Sequence, residues 1–295
     1  MKKPILLDGP MGTELDRRGG NTSLPLWSAR ALIETPELVK QIHLDYIAAG
    51  ADVITTNTFR TQSYTLEKAE VEHSSEDLTQ LAVELAKKAR SSTKKIVKIA
   101  GSVAPVEDCY SPHLTPDKQT LARNFETLIS SMVNAGIDIL LIETMNSIRE
   151  TNIALEIAKK YQSTTRSGNR SILPIWLSFT CDNDGIILSG ESWNEVLQNY
   201  GERVNLISVN CSPVQGTLKA LQKILSIAPS IPFGFYPNFG IADEKTGWVS
   251  SEVGTDYEEL LDECFRKSPT MIGTCCGATP DNTRYLRERI DTNIS

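Results

Sequence analysis

Three cysteines close apolar runs at points where β-strands should end. Cys211 closes the run 206–211, and the adjacent Cys275 and Cys276 close the run that begins at residue 271. Three thiolates gathered at strand ends can hold one Zn²⁺ and leave its fourth position open, which is typical of a catalytic zinc site. We therefore predict that these cysteines bind Zn²⁺ and that a ligand is activated there.

The alternative interpretation is that the cysteines are small buried apolar side chains, as free cysteines often are. We apply it to Cys109, Cys181 and Cys264, which stand beside no other potential ligand. The spacing of the three strand-end cysteines fits no zinc-finger or zinc-ribbon pattern. The histidines of the chain lie far from them in sequence, so the pattern favours three protein ligands and an open position.

Strand-like apolar runs alternate with amphipathic helical segments from one end of the chain to the other. The runs are apolar on both faces, which is typical of parallel strands covered by helices. The predicted strands are residues 4–8, 52–58, 96–103, 139–144, 173–180, 206–211, 232–237 and 271–275. The predicted helices are residues 36–49, 75–89, 116–135, 148–160, 217–227 and 257–265. Eight strands in 295 residues predict an α/β fold, a (β/α)₈ TIM barrel, with an open doubly wound sheet as the alternative.

No linker divides the chain. Residues 164–171 are polar and contain glycine, but they lie where a helix-to-strand loop belongs. We predict a single barrel domain over residues 1–295.

The adjacent cysteines require a break in the last strand, because successive side chains of a regular strand point to opposite faces. Gly273 and Gly277 flank the pair and are predicted to allow the unusual backbone dihedrals that the break needs. The seventh predicted strand lies between Cys211 and the pair in sequence. A single ion therefore has to bridge across that strand, at the mouth of a barrel.

Polar residues gather at the C-terminal ends of the predicted strands, where TIM barrels carry their active sites. Besides the cysteines they are Asp8, Thr56, Asn57, Thr58, Ser102, Glu143, Thr144, Thr180, Asn210 and Asn238. Glu143 follows four apolar residues, so its carboxylate requires a cation, either from a ligand or from a lysine or arginine of the chain. For Asp8 the alternative is capping of the turn 9–12, which matches neither a P-loop nor a dinucleotide fingerprint.

Composition excludes several classes of partner. The formal net charge of −7 argues against nucleic acid and anionic membranes. No apolar run approaches the roughly 18 residues of a membrane span, and the N-terminus lacks the apolar region of a signal peptide. We expect a cytoplasmic protein, in whose reducing surroundings the six cysteines are not expected to form disulfides.

Five segments, in order along the chain, resemble the homocysteine S-methyltransferases. They are DGPMGTEL (8–15), GADVITTNTF (50–59), IET (142–144), VNC (209–211) and GTCCGATP (273–280). The resemblance implies a (β/α)₈ barrel whose zinc, held by three cysteines, binds the sulfur of homocysteine. Two departures are small: Ser212 stands where the family often has a further, non-ligand cysteine, and Thr274 stands where it usually has glycine.

The resemblance also implies roles for individual residues. Glu143 and Asp8 would hold the ammonium of homocysteine, with Thr56 and nearby backbone groups on the side of its carboxylate. Further substrate-binding candidates are Gly9, Asn57, Asn210 and Asn238. Aromatic residues that could surround a cationic methyl donor are Trp27, Phe59, Phe179, Tyr236 and Trp248.

The compact length is most similar to that of the enzymes that use S-methylmethionine or S-adenosylmethionine. The expected partners are homocysteine and a small methyl donor, and the expected state is a monomer or small homo-oligomer. The alternatives are another donor such as betaine, or a non-catalytic barrel that binds zinc or an amino acid. A Schiff-base lyase is disfavoured, because Lys98, the one lysine within a predicted strand, is not at its C-terminal end.

Overall fold

The computed structural model describes residues 3–166, 169–243, 247–250 and 255–293, and their side chains apart from those of residues 164–171 and 241–255. Eight parallel strands form its central sheet. They are β1 (Ile5–Leu6), β2 (Val53–Thr55), β3 (Lys98–Val103), β4 (Ile139–Met145), β7 (Ile175–Phe179), β8 (Leu206–Asn210), β9 (Phe233–Tyr236) and β12 (Met271–Ile272). Each lies within one of the predicted strands, except that β4 extends one residue further.

The strands close into a barrel. Their order is β1-β12-β9-β8-β7-β4-β3-β2, and a parallel bridge between Leu7 and Val53 joins the two ends of the sheet. At this closure the Asp8 backbone N–H donates to the Val53 carbonyl at 3.0 Å. The prediction of a TIM barrel rather than an open sheet is confirmed.

Helices surround the barrel. They are α1 (Met11–Arg17), α2 (Arg30–Glu34), α3 (Pro36–Ala49), α4 (Ser63–Lys68), α5 (Ser75–Ser91), α6 (Lys118–Ala135), α7 (Ile148–Tyr161), α8 (Trp193–Tyr200), α9 (Val214–Ile227), α10 (Thr255–Arg266) and α11 (Pro280–Thr292). Side-chain caps stabilise the N-termini of several helices. Asp117 accepts hydrogen bonds from the first N–H groups of α6, at 2.9 and 3.1 Å. Ser192 and Glu195 form a capping box at the start of α8. Of the described helices, none is both long and apolar enough to span a membrane.

Two antiparallel ribbons lie outside the barrel sheet. The first pairs β5 (Ser163–Arg166) with β6 (Asn169–Ile172), so the expected plain loop at 164–171 is instead part of a two-stranded ribbon. The second pairs β10 (Gly240–Asp243) with β11 (Gly247–Ser250) and follows β9.

Apolar side chains form two layers. The larger layer fills the space between strands and helices. The smaller fills the barrel and comprises Leu7, Val53, Ala100, Ile139, Leu141, Trp176, Leu206, Cys211, Tyr236, Met271 and Cys275. Two of the predicted metal ligands thus belong to the packed interior, which restricts their side chains to few positions.

Burial of His43 in α3 makes the stability depend on pH. Its side chain is fully buried, and neither ring nitrogen has a hydrogen-bond partner among the described residues. Burial lowers the pKa of His43 from 6.5 to about 4. The unfolded chain therefore binds a proton below pH 6.5 that the folded chain does not bind until about pH 4. Stability from neutral His43 is complete above pH 6.5 and is lost as the pH falls towards 4.

We expect this loss to reach about 3 kcal/mol. In urea titrations between about pH 7 and about pH 4, His43→Leu should lose that much less unfolding free energy than the wild type. Equal losses in the two proteins would show that His43 stays neutral on unfolding or becomes protonated in the folded state.

Candidate metal and substrate site

The three predicted ligands converge. The Sγ atoms of Cys211, Cys275 and Cys276 all lie within 4.8 Å of one another. Cys211 directly follows β8, and the pair follows β12, with β9 between these two strands. The side chains of Cys211 and Cys275 are buried, and that of Cys276 is half-buried.

The backbone leaves the strand geometry at each of these positions. Cys211 has a φ of 48°, and Gly277 has a φ of 86°, in the left-handed region that favours glycine. Of the two flanking glycines, Gly277 thus supplies the predicted dihedral freedom. At position 273 glycine is needed for packing instead. A Cβ there would lie 2.9 Å from the Cβ of Leu7, so the missing side chain allows β12 to pack beside β1.

Hydrogen bonds hold this irregular backbone. The N–H groups of Cys211 and Cys275 donate to the carbonyls of Tyr236 (3.2 Å) and Pro237 (2.8 Å). The Cys211 carbonyl accepts from the hydroxyls of Thr180 and Tyr110, each at 3.2 Å. The region between the two ligand segments is therefore fixed before any ion binds.

The donor set fits a thiophilic cation. The neighbouring Cys275 thiol and burial together raise the pKa of Cys211 well above its usual value, so the cluster needs a positive charge to become a set of thiolates. Within the described residues the group contains three potential ligands and no fourth. Three sulfur ligands with one open position match the catalytic type of zinc site.

The cysteines line a cavity of about 340 Å³ at the C-terminal end of the barrel. Its walls come mainly from the C-terminal parts of β2, β3, β4 and β9 and from the segments that follow β1, β2, β3, β8 and β12. Of the predicted site residues it is lined by Asp8, Gly9, Thr56, Asn57, Glu143, Cys211, Cys275 and Cys276. Asn210 and Asn238 are not among the lining residues. Lys98 is exposed and opens β3, at the opposite end of the barrel.

Two buried carboxylates share this cavity with the thiols. Asp8 accepts hydrogen bonds from the backbone N–H and the hydroxyl of Thr55, both at 2.8 Å. Glu143 accepts hydrogen bonds from the hydroxyls of Ser102 and Tyr236, the latter at 3.1 Å. Burial raises the pKa of Asp8 from 3.8 to about 8 and also raises the pKa of Glu143. Both groups therefore gain from a bound cation.

Neither alternative role for these carboxylates matches the geometry. No described lysine or arginine forms an ion pair with Glu143 or Asp8. The turn 9–12 is not capped by Asp8, whose oxygens are occupied by Thr55, and the start of α1 has no side-chain cap. The cation that these groups require is left for a ligand to supply.

The other predicted substrate-binding residues differ in whether their polar groups are already hydrogen-bonded within the protein. The Thr56 hydroxyl lies 2.8 Å from that of Thr58 and accepts from the Ser102 backbone N–H, so it is occupied by the protein. The backbone N–H groups of Gly9 and Asn57 have no acceptor in the described part of the chain. Gly9 also makes room for Tyr46, whose ring would be 2.6 Å from a Cβ at that position.

Asn210 acts through another residue. Thr144 has a left-handed φ of 58°, and its backbone N–H donates to Asn210 Oδ1 at 2.9 Å while Asn210 Nδ2 donates to its hydroxyl at 2.8 Å. Because Thr144 follows Glu143 and Asn210 precedes Cys211, one amide positions both a carboxylate and a ligand. For Asn238, the side-chain oxygen is buried without a partner among the described residues.

Asn210→Ala should therefore weaken both the fold and the site. Two buried hydrogen bonds are lost, so we expect unfolding free energy to fall by about 2–3 kcal/mol and the affinity of the cysteine cluster for a metal ion to fall, which denaturation and metal titration would measure. Asn199→Ala is the control, because that amide donates to a carbonyl on the exposed surface of α8. Unchanged stability and metal affinity in Asn210→Ala would contradict this positioning role.

The aromatic candidates are separated by the structure. Trp27, Phe59 and Tyr236 line the cavity. Phe179 instead packs against Trp193 and Tyr200 on the outer side of the barrel, with ring centroids at 6.0 and 6.1 Å. The side chain of Trp248 lies outside the described residues.

Sequence reasoning placed Ser102 at a strand end without giving it a role, and it did not single out the other cavity residues named here as site residues. Thr55 and Ser102 hold the two carboxylates, and Arg60, Asp108 and Tyr110 enter from the segments after β2 and β3. Cys109 also lines the cavity without belonging to the sulfur cluster. The available signal for Thr55 and Ser102 was a polar residue in the C-terminal part of a strand, since Thr55 ends β2 and Ser102 lies next to the last residue of β3.

Comparison over the whole chain decides its family. A model of the family described as homocysteine S-methyltransferase matches residues 5–290. The chain belongs to this family. The homocysteine S-methyltransferase of Escherichia coli (strain K12) is 30% identical over 97% of the chain and 94% of its own length. The homocysteine S-methyltransferase YbgG of Bacillus subtilis (strain 168) is 28% identical over 96% and 93%.

A solved member of the homocysteine S-methyltransferase family has the same fold. The metallated form of the homocysteine methyltransferase MmuM from Escherichia coli has a TM-score of 0.79 and 27% identity, covering 98% of this chain and 96% of that one. The chain is accordingly a methyltransferase. The metallated relative and the sulfur cluster both support a metal as its cofactor.

Proposed function

We propose that this protein transfers a methyl group from a sulfonium donor, S-methylmethionine or S-adenosylmethionine, to the thiolate of homocysteine, giving methionine. The observation that carries the proposal is one cavity lined by three converging thiols and by two buried carboxylates that no described lysine or arginine pairs. Homocysteine has the complementary groups, since it carries a sulfur for the metal and an ammonium for the carboxylates.

The cofactor that we propose is Zn²⁺, held by Cys211, Cys275 and Cys276. When bound there it supplies the positive charge that keeps the homocysteine sulfur deprotonated at neutral pH. Three thiolate ligands leave the centre with a net negative charge, so the substrate sulfur stays electron-rich. Alternative ligand sets with more histidine would withdraw more charge from that sulfur.

Asp8 and Glu143 would hold the ammonium of homocysteine. Both are buried and hydrogen-bonded, so their oxygens are already directed before the substrate arrives. The ammonium favours the charged form of each carboxylate and lowers the raised pKa of Asp8. On the carboxylate side, the free backbone N–H groups of Gly9 and Asn57 are better donors than the Thr56 hydroxyl, which the protein occupies.

The transfer itself is a direct substitution at the methyl carbon. The homocysteine thiolate forms the new carbon–sulfur bond, and the donor's carbon–sulfur bond breaks with its electron pair staying on the donor sulfur. Since the donor loses its positive charge and leaves as a neutral thioether, no acid has to protonate it. The protein's task is to align the two sulfurs with the methyl group and to exclude water, in a cavity whose walls are mainly apolar.

A donor panel tests this proposal. Purified protein with homocysteine should form methionine with S-methylmethionine or S-adenosylmethionine and not with betaine or methyl-folate, as read by mass spectrometry. Metal analysis of the same sample should give about one zinc per chain. Turnover with betaine alone would reassign the donor, and binding of homocysteine without turnover of any donor would indicate a non-catalytic barrel.

A further inference from the structure

The rim of the cavity carries a pair of opposite charges that the binding of homocysteine does not use. Arg60 comes from the segment after β2, and Asp108 from the segment after β3. Among the described residues that line the cavity, Arg60 is the one cationic side chain. Its Nη1 donates to the carbonyl of Glu107 at 3.0 Å, and Glu107 is the residue before Asp108 in the chain.

Arg60 has donor capacity left over. Its Nε is buried and has no acceptor in the described part of the chain. The guanidinium carbon lies 5.4 Å from the centroid of Phe59, which holds the group beside an aromatic face. A buried N–H without an acceptor costs about 1–3 kcal/mol, and the planar fork of arginine suits a carboxylate. The position is suited to a carboxylate that arrives with a ligand.

Asp108 is held in place but has no cation. One carboxylate oxygen accepts from the Tyr110 backbone N–H at 3.1 Å, and the other accepts from the Ser111 hydroxyl at 2.7 Å. No ion pair joins Asp108 to Arg60 or to another described lysine or arginine. Two fixed charges of opposite sign on adjoining loops, neither of them in an ion pair with a described residue, are complementary to a zwitterion.

We propose that Arg60 and Asp108 bind the carboxylate and the ammonium of the methyl donor, and so select an α-amino-acid sulfonium. The inference rests on the proposed function, which assigns the homocysteine ammonium to Asp8 and Glu143 and its carboxylate to backbone groups.

Three sulfonium donors of graded charge test this assignment. They are S-methylmethionine, with both charged groups; 4-(dimethylsulfonio)butanoate, with the carboxylate alone; and (3-aminopropyl)dimethylsulfonium, with the ammonium alone. For the wild type we expect kcat/KM to fall about 10- to 100-fold when either group is missing. Arg60→Gln should lower kcat/KM by a similar factor for the two carboxylate donors and leave the third unchanged. Asp108→Asn should affect the two ammonium donors alone.

Matched variants separate recognition from structure. Arg149→Gln and Asp182→Asn remove an arginine that donates to a carbonyl and an aspartate that holds a turn, both away from the cavity, and should change no donor constant. Arg60→Lys should restore part of the discrimination, and homocysteine KM should stay constant throughout.

Several outcomes would overturn the inference. These are equal losses for all donors in Arg60→Gln, a rise in homocysteine KM in place of donor KM, or a wild type that uses donors with and without a carboxylate equally. The last test needs no variant and so does not depend on the folding of Arg60→Gln. A wild type that transfers methyl groups from no donor would instead refute the proposed function, and this inference with it.

Discussion

Cys275→Ser should lose its metal and its methyl transfer together. A serine hydroxyl does not become an anion at neutral pH, so the site would keep two thiolates, and unactivated homocysteine is mostly a thiol with a pKa near 8.5. We expect zinc to fall from about one per chain to near zero and kcat to fall at least about 1000-fold. Metal analysis and methionine formation on one protein sample measure both effects.

The matched control is Cys264→Ser. Cys264 is as buried as Cys275 but lies in α10, outside both the cavity and the sulfur cluster. That variant should be somewhat less stable and yet keep its zinc and its kcat. Full activity in metal-free Cys275→Ser protein would falsify the mechanism, whereas equal metal loss in Cys264→Ser would mean that the metal depends on general stability.

Glu143→Ala should raise homocysteine KM by about 100-fold while the zinc content is retained. The ammonium loses a buried charged partner, and truncating one member of such a pair costs several kcal/mol. The ligand-free variant should be more stable than the wild type, because Glu143 is buried without a cation of its own in the described chain. Kinetics should show the higher KM, metal analysis the retained zinc, and thermal unfolding the higher stability.

Glu150→Gln serves as the control for Glu143→Ala. Glu150 is also a buried glutamate, but it accepts from the Val106 backbone N–H and does not line the cavity. We expect its homocysteine KM to stay at the wild-type value. A Glu143→Ala protein that loses its metal or unfolds would identify Glu143 as structural.

The barrel and the convergence of the three cysteines could be predicted because topology does most of the positioning. Parallel strands place all their C-terminal ends on one face, so Cys211 and the pair at Cys275 had to meet once the strand order was right. Glu143 was identified by the cost of a carboxylate after an apolar run. The proposed one-domain organisation, the roles of single residues and the cytoplasmic location stay predictions.

The sequence could not show which side chains of each strand face the interior of the barrel. Barrel strands are apolar on both faces, so nothing in residues 53–58 shows which threonine turns inward. Val53 belongs to the inner layer and Ile54 to the outer. The hydroxyl of Thr55 then bonds to Asp8, whereas that of Thr56 bonds to Thr58 and to the Ser102 backbone. The same alternation puts Phe179 in the outer layer.

The sequence also could not show which residues of the irregular segments approach the cavity. Arg60, Asp108 and Tyr110 lie in irregular segments without periodicity, and their approach to the cavity depends on contacts distant in sequence. The Tyr110 hydroxyl, for example, bonds to a carbonyl 101 residues away. Local patterns carry no information about such contacts.

The closure between β1 and β2 has a consequence for dynamics. A single backbone bridge joins the strands at Leu7 and Val53, and the Asp8 side chain adds its two hydrogen bonds to Thr55. A substrate that fixes Asp8 would thereby fasten the joint where the sheet meets itself. Amide hydrogen exchange at Thr55 should therefore slow when homocysteine is bound. Opening of the barrel between β1 and β2 would then accompany the release of product.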